Sequence, residues 1–309
     1  MDDHLLDSAF RSEYLPYWFF GGGVVLLLIS SFVWWTQVYQ NPYNVYWDML
    51  ASNLATASET KHLVENTNGT HLNQYIAQQF GPNTMAYGQT NLSDANSTVK
   101  TESIGTLSTD YIRYTHIQTK QKSKNGKSLS FSNVLGKWAK SPATNVAVSS
   151  SNSATPFFTQ TVLGLGGGNL MPIANLTQEK RQNLMTQLHQ NDVFDTSFSN
   201  VKKQTVNGRA VYIYTVSVEP VAYVALEKAF AADLGLHTLD NIDPNNYHGQ
   251  QPIQVDVIVD VRSHHLTEIN FNSLQHQEFY SSFGVPIQVA TPQASLSSQD
   301  LQKLISQTQ

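Results

Sequence analysis

The chain of 309 residues contains no cysteine. Disulfides, thiol catalysis, cysteine-ligated zinc and a lipid-bearing cysteine of the bacterial lipoprotein kind are therefore excluded. Charge is scarce as well. Charged residues make up 13% of the chain and the net charge is −5, which argues against nucleic acid as a partner, because domains that bind it are basic. Asp, Glu, Lys and Arg are missing altogether from Tyr14 to Trp47, and Asp and Glu are missing again from Tyr111 to Gln178. Catalytic signatures are also missing. There is no GxSxG, no HExxH and no Walker lysine after GLGGG (Gly164 to Gly168), where Asn169 stands in place of the last glycine of a dinucleotide loop. The chain is read as non-enzymatic, with no catalytic residue, metal ligand or cofactor assigned.

The first uncharged run has an apolar centre close to the roughly 20 residues that a helix needs to cross a bilayer. A cleavable leader would carry a basic head, an apolar stretch of about 7–15 residues and small residues before the cut. Here the head is acidic (Asp2, Asp3, Asp7 and Glu13 against Arg11), and the run ends in Phe32, Val33, Trp34 and Trp35. The expectation is a retained transmembrane helix over 17–39, with Tyr17 and Trp18 at one interface and Trp34, Trp35 and Tyr39 at the other. Arg11 gives a positive-inside vote for a short cytoplasmic tail, 1–16, and an outward-facing remainder at the cell membrane.

Beyond it, Asn41-Pro42 reads as a helix start, with Trp47, Leu50, Ala51 and Leu54 on one face. From Lys61 the texture turns Thr- and Gln-rich and is punctuated by glycines. THLNQYIAQQF reads as a strand, and Tyr111 to Thr119 with Ser128 to Ser132 bracket Asn125-Gly126 as a hairpin. SPATNVAVSSSNSATP, Ser141 to Pro156, has the composition of a loop or linker. LTQEKRQNLMTQLHQ reads as a helix capped by Thr177, Ala210 to Val218 as a strand, and PVAYVALEKAFAADLGL as a helix from Pro220 to Gly235. In IQVDVIVDV, Ile253, Val255, Val257, Val259 and Val261 alternate with Gln254, Asp256, Ile258 and Asp260, which predicts a strand with one buried and one wet face. RSHH then turns the chain into LTEINFNSL.

The order is helix, strands, helix, strand, helix, strands. It predicts an α+β fold over 41–290, a curved antiparallel half-barrel sheet with helices on its concave face, followed by a tail or short helix over 291–309. The opening helix, the Thr- and Gln-rich meander and VDVIVDVRSHHLTEINF together resemble the LolA and LppX lipoprotein families. That resemblance implies an unclosed barrel plugged by helices around an apolar cavity for acyl chains. It assigns no ligand-contacting residue.

Candidate cleft residues are Trp47, Leu50, Leu54, Trp138, Val224 and Phe230. Arg113, Lys120, Lys122, Lys124 and Lys127 form a candidate basic surface at a hairpin tip, suited to anionic head groups or cell-wall polymers. His264-His265 reads as a solvated turn, and Asp256 with Asp260 as the wet face of a strand. Asn68, Asn91, Asn96 and Asn175 lie in N-x-S/T tripeptides. The favoured reading is a membrane-anchored binding protein for a lipid, lipoprotein or hydrophobic peptide. An envelope interaction domain with a filled core, partnered by other envelope proteins, is the alternative, and an extracytoplasmic hydrolase the third.

Overall fold

The computed structural model describes residues 15–81, 84–106, 108–123, 125–142, 169–236, 239–271 and 275–308, with side chains from Gly23 onward. It divides into two units, Met1–Trp47 and Asp48–Gln309. The expected linker therefore lies largely outside the described residues, as do GLGGG and Lys124.

In the first unit, helix α1 (Leu15–Trp34) runs into one π-helical turn, Trp35–Tyr39. Leu26, Leu27 and Leu28 face outward, at 66%, 69% and 65% exposure. Two hydroxyls are satisfied internally, with Ser30 Oγ donating to the Leu26 carbonyl at 2.7 Å and Thr36 Oγ1 to that of Phe32 at 2.9 Å. Trp35 stacks on Tyr39 at 4.5 Å between ring centroids. Among the described residues no single helix is long and apolar enough to cross a membrane. One bent pair, Gly23–Tyr39 with Pro42–Asn53, has the length and composition to do so.

Helix α2 (Pro42–Asn53) starts where the sequence places it, with the Asn41 Oδ1 accepting the Tyr43 amide at 2.9 Å. Six strands follow: β1 (Ser58–Thr67), β2 (Thr70–Gln79), β3 (Met85–Ser93), β4 (Ser97–Thr106), β5 (Thr109–Thr119) and β6 (Ala139–Pro142). After the undescribed segment come α3 (Gln178–Gln190), β7 (Phe194–Thr196), β8 (Lys202–Val206), β9 (Arg209–Val218), α4 (Pro220–Asp233), β10 (Ile253–Asp260), β11 (Leu266–Phe271) and β12 (His276–Ser281). The chain closes with β13 (Leu296–Ser297) and α5 (Ser298–Ser306).

All thirteen strands form one unclosed sheet in the order β13-β6-β5-β4-β3-β2-β1-β12-β11-β10-β9-β7, with β8 paired to β9. The β1–β2 and β8–β9 turns are Asn68-Gly69 and Asn207-Gly208. Both residues of each have positive φ (51° and 78°, 51° and 79°), the geometry that matches strand twist and favours Asn-Gly. The central pairing, β1 with β12, joins segments over two hundred residues apart in sequence.

The α+β reading holds, with three corrections. The sheet is mixed, because Leu296–Ser297 adds parallel to Ala139–Lys140. The partner of β5 on that side is Ala139–Pro142 and not 128–132. The intervening loop does turn at Gly126, but it commits Val134 to a cluster with Ala139 and Leu301 of α5, against Tyr114 and Ile117, so its apolar residues serve packing instead of a ladder. The third concerns β10, where Ile253, Val255, Val257 and Val259 are buried as the alternation requires, but Asp260 is buried too. Its Oδ1 accepts the Arg262 and Ser263 amides at 2.9 and 2.8 Å. These bonds tie down the turn and outweigh burial in lowering its pKa.

Candidate functional site

Strand register decides which side chains share a face, since neighbours in a strand point to opposite sides. One face of β1 carries Glu59, Lys61, Leu63 and Glu65. The pairs Lys61↔Tyr280, Leu63↔Glu278 and Glu65↔His276 put Tyr280, Glu278 and His276 of β12 on the same face. Tyr223 of α4 lies within electrostatic reach of Glu278 and Tyr280, so this is the inner face, the one that α4 covers. Glu59, Lys61 and Glu278 are each 0% exposed, and His276 and Glu227 each 2%.

Charges this deep persist only when paired or neutralised. His276 sits between two carboxylates, with Nδ1 3.1 Å from Glu65 Oε2 and Nε2 3.0 Å from Glu278 Oε1. Burial alone would lower its pKa, but the bonds to Glu278 and Glu65 win and raise it, which favours an imidazolium donating from both nitrogens. The bond from His276 in turn holds Glu65 below the usual carboxylate range. The other Glu278 oxygen accepts the Tyr280 hydroxyl. Asn169 Nδ2 donates to Glu59 Oε1 at 3.1 Å, while Glu59 Oε2 has no hydrogen-bond partner among the described residues. Burial, opposed by Lys61 and the Asn169 amide, pushes Glu59 up to about 7; burial likewise lowers Lys61, against the pull of Glu278 and Glu59. Glu227 on α4 is pushed up to about 8 by burial, opposed by the Tyr223 hydroxyl.

The same inner face continues onto β2–β5 and changes character there. Lys61 pairs with Ile76, which leads on to Gly88, Ser103 and Ile112. Leu63 leads to Gln74, Thr90, Thr101 and Tyr114, Glu59 to Gln78, Ala86, Gly105 and Asp110, and Glu65 to Leu72, Leu92, Val99 and Ile117. Across β3 and β4 the middle of this face is thus a trough of glycine, alanine, serine and threonine, rimmed by Leu72, Leu92 and Val99. A Cβ placed on Gly88 would stand 2.6 Å from Ser103 Oγ, so the floor is closely fitted as well as low. Leu72, Gln74, Ile76 and Gln78 are half-buried, whereas Leu63 beside them is buried. The α5 cluster covers the face again at β5 and β6. The trough lies between these two filled ends.

The cleft residues expected from sequence differ in exposure. Leu50, Leu54 and Val224 are core residues, at 1%, 0% and 0% exposure. Trp47 and Phe230 are half-buried. Trp138 falls on the outer face, where the Arg113 guanidinium lies 4.7 Å from its ring centroid. Arg113 is also bound by Glu102 at 2.8 Å, within strand β5, and so stands apart from the loop lysines. Lys120 donates to the Ala95 carbonyl at 2.8 Å; Lys122 and Lys127 are exposed. Of the interface residues, Trp34 and Trp35 are 54% and 37% exposed and Tyr39 is half-buried; the side chains of Tyr17 and Trp18 lie outside the described residues. The His264-His265 turn is a correction. His264 is buried, with Nδ1 3.1 Å from Asp48 Oδ2, and His265 stacks on Phe283 at 4.8 Å, because the turn folds back onto α2 and not into solvent. Among the described residues no group of three or more His, Asp or Glu is arranged to hold a metal ion.

The polar cluster was absent from the candidates read off the sequence. Its signal exists, since Glu59, Lys61 and Glu65 recur at alternate positions of SETKHLVENT, as do His276 and Glu278 of HQEFYS. Such alternation ordinarily marks a wet face. No protein-family model matches this chain, and no curated protein does. Among solved structures it is similar to LprF from Mycobacterium bovis, with a TM-score of 0.42 and 13% sequence identity, covering 81% of this chain and 96% of that one.

Proposed function

We propose that this protein is a membrane-anchored, non-catalytic binding protein that holds the acyl part of a lipid or lipoprotein in the inner-face trough of β2–β5. The observation that carries this reading is the trough itself: small residues on the floor, aliphatic residues on the rim and, among the described residues, cover at both ends but only half-cover between. Ligand pockets combine apolar walls with a few placed polar groups, and here Gln74, Thr90 and Thr101 supply the polar groups. The sequence resemblance to the LolA and LppX families points the same way. The burial of Leu50, Leu54, Tyr223 and Val224 favours a second reading, an envelope interaction domain with a filled core, and a ligand test separates the two.

That test is native mass spectrometry of the full chain released from detergent micelles after exposure to a membrane lipid extract. An adduct of lipid mass is expected. The double substitution Gly88→Leu with Ser103→Gly, which fills the trough while relieving the close approach, should reduce adduct occupancy by about tenfold, equivalent to about 1.4 kcal/mol. A clean apo mass in both proteins favours the filled-core reading.

The anchor in this proposal is α1 with its π-helical turn, supported by the outward-facing leucines and by Trp34 and Trp35. The outward orientation of the remainder has its own test, made simple by the absence of cysteine. Ala95→Cys, in the exposed β3–β4 turn, should react with a membrane-impermeant maleimide on intact cells while the parent chain stays blank. Labelling only after lysis would reverse the orientation.

A further inference from the structure

Helix α4 lays two titratable side chains, Tyr223 and Glu227, one turn apart against the interior of the sheet, and both are buried. Glu227 interacts with the Tyr223 hydroxyl, and its Oε1 has no hydrogen-bond partner among the described residues. The cations nearby are engaged elsewhere. Lys61 of β1 is set toward Glu278 and Glu59, and His276 of β12 lies between Glu278 and Glu65. On the same inner face, β11 presents the apolar pair Ile269 and Phe271. From α3, Lys180 reaches Asp233 at the far end of α4, with Nζ 2.5 Å from its carbonyl. Lys228, next in sequence to Glu227, donates to the Ile242 carbonyl at 2.5 Å. β7 contributes the Phe194 ring against Tyr223, and the short helix Pro244–Tyr247, which also packs on α4, brings the buried Tyr247 and, at its cap, Asp243, whose carboxylate accepts the Asn245 amide.

A carboxyl in such a place is tolerable when neutral. Ionised, it is a buried charge with no cation bound to it among the described residues, close to a tyrosine that already feels Glu278. We propose that Glu227 is a proton latch: α4 stays seated on the inner face while the Glu227 carboxyl is protonated, and lifts from it when the proton passes to solvent. Lifting α4 uncovers Glu59, Lys61 and Glu278 and, beside them, the first row of the trough. The latch therefore deepens the binding reading by giving it a pH-controlled entrance. Its test uses no ligand, so either idea fails without the other.

The direction follows from burial, which pushes Glu227 up to about 8 from an ordinary value near 4.5. A group whose pKa is raised by the seated state stabilises that state below its ordinary value. The stabilisation is lost as pH rises through the raised one. The latch is set in mildly acidic and neutral solution and releases in alkaline solution.

Hydrogen-exchange mass spectrometry of the full chain in detergent micelles, compared at about pH 6 and about pH 9 after correction for the intrinsic pH dependence of exchange, reads the seating directly. In the parent chain, amides of Pro220–Asp233 should lose about tenfold or more of their protection at the higher pH, while those of β3 and β4 keep theirs. Glu227→Gln, which retains shape but cannot ionise, should keep α4 protected at both values, and Glu227→Leu serves if the amide variant does not fold. Unchanged α4 protection in the parent chain overturns the latch, whatever the variants do. So does an equal loss in the non-ionising variants, or a loss shared equally with β3 and β4.

Discussion

Replacing Lys61 with methionine should destabilise the protein by about 3–5 kcal/mol, the range for breaking a buried charge group by removing one partner. Lys61 is fully buried and faces two carboxylates, Glu278 and Glu59. Methionine matches its stem but removes the positive charge, leaving Glu278 with His276 as its remaining cation. The loss should shrink in acid, where the carboxylates take up protons. Adding Glu278→Leu to Lys61→Met should recover part of it, because a well-packed apolar replacement of both partners is often neutral or stabilising. Urea denaturation of the three proteins at neutral and acidic pH gives these values. A single-variant effect under about 1 kcal/mol would mean that Lys61 reaches water and is not an interior charge.

Global stability should fall by several kcal/mol between about pH 5 and pH 8, since each unit of pKa shift corresponds to about 1.4 kcal/mol. Glu59 and Glu227 carry folded-state values of about 7 and about 8 against an ordinary 4.5. The folded chain therefore binds more protons than the unfolded chain across that window, and stability drops as pH rises through it. His276, raised by its two carboxylates, acts in the same direction above its ordinary value of 6.5. Lys61 acts oppositely. Its lowered pKa makes the folded chain bind fewer protons than the unfolded one between that value and 10.5, so it limits the decline on the alkaline side. Glu59→Gln isolates one contribution, because the glutamine carbonyl still accepts the Asn169 amide. The variant should match the parent near pH 5 and exceed it near pH 8, as read by thermal melts across the range. Equal melting temperatures at both ends would place the Glu59 carboxyl in solvent-like surroundings.

Both outcomes concern residues whose role the sequence does not announce, although the local structure around them is plain in it. Asn41-Pro42 starts a helix, THLNQYIAQQF forms β2, Pro220 opens α4, and IQVDVIVDV alternates as β10 with its valines inward. Each depends on a preference expressed within a few residues: a capping amide, a fixed proline φ, or a two-residue period. The apolar surface of α1 belongs to this class, whereas 291–309, read as a tail or short helix, contains the helix α5 with Leu301 buried. The absence of cysteine excludes disulfides and thiol chemistry within this sequence.

Partnership across long sequence distances was a matter for the tertiary structure alone. Alternating charges, as in SETKHLVENT, ordinarily mark a wet face; here β1 pairs with β12 and α4 covers that side, so the same residues become an interior cluster. The loop turns at Gly126, but the strand beside β5 is Ala139–Pro142, and Val134 packs in a cluster with α5 instead of joining a ladder. His264 looked solvated from its turn and is buried against Asp48, 216 positions earlier. In every case local propensity sets the element. Which face of it meets water is set by what packs there, and a two-residue period allows either choice.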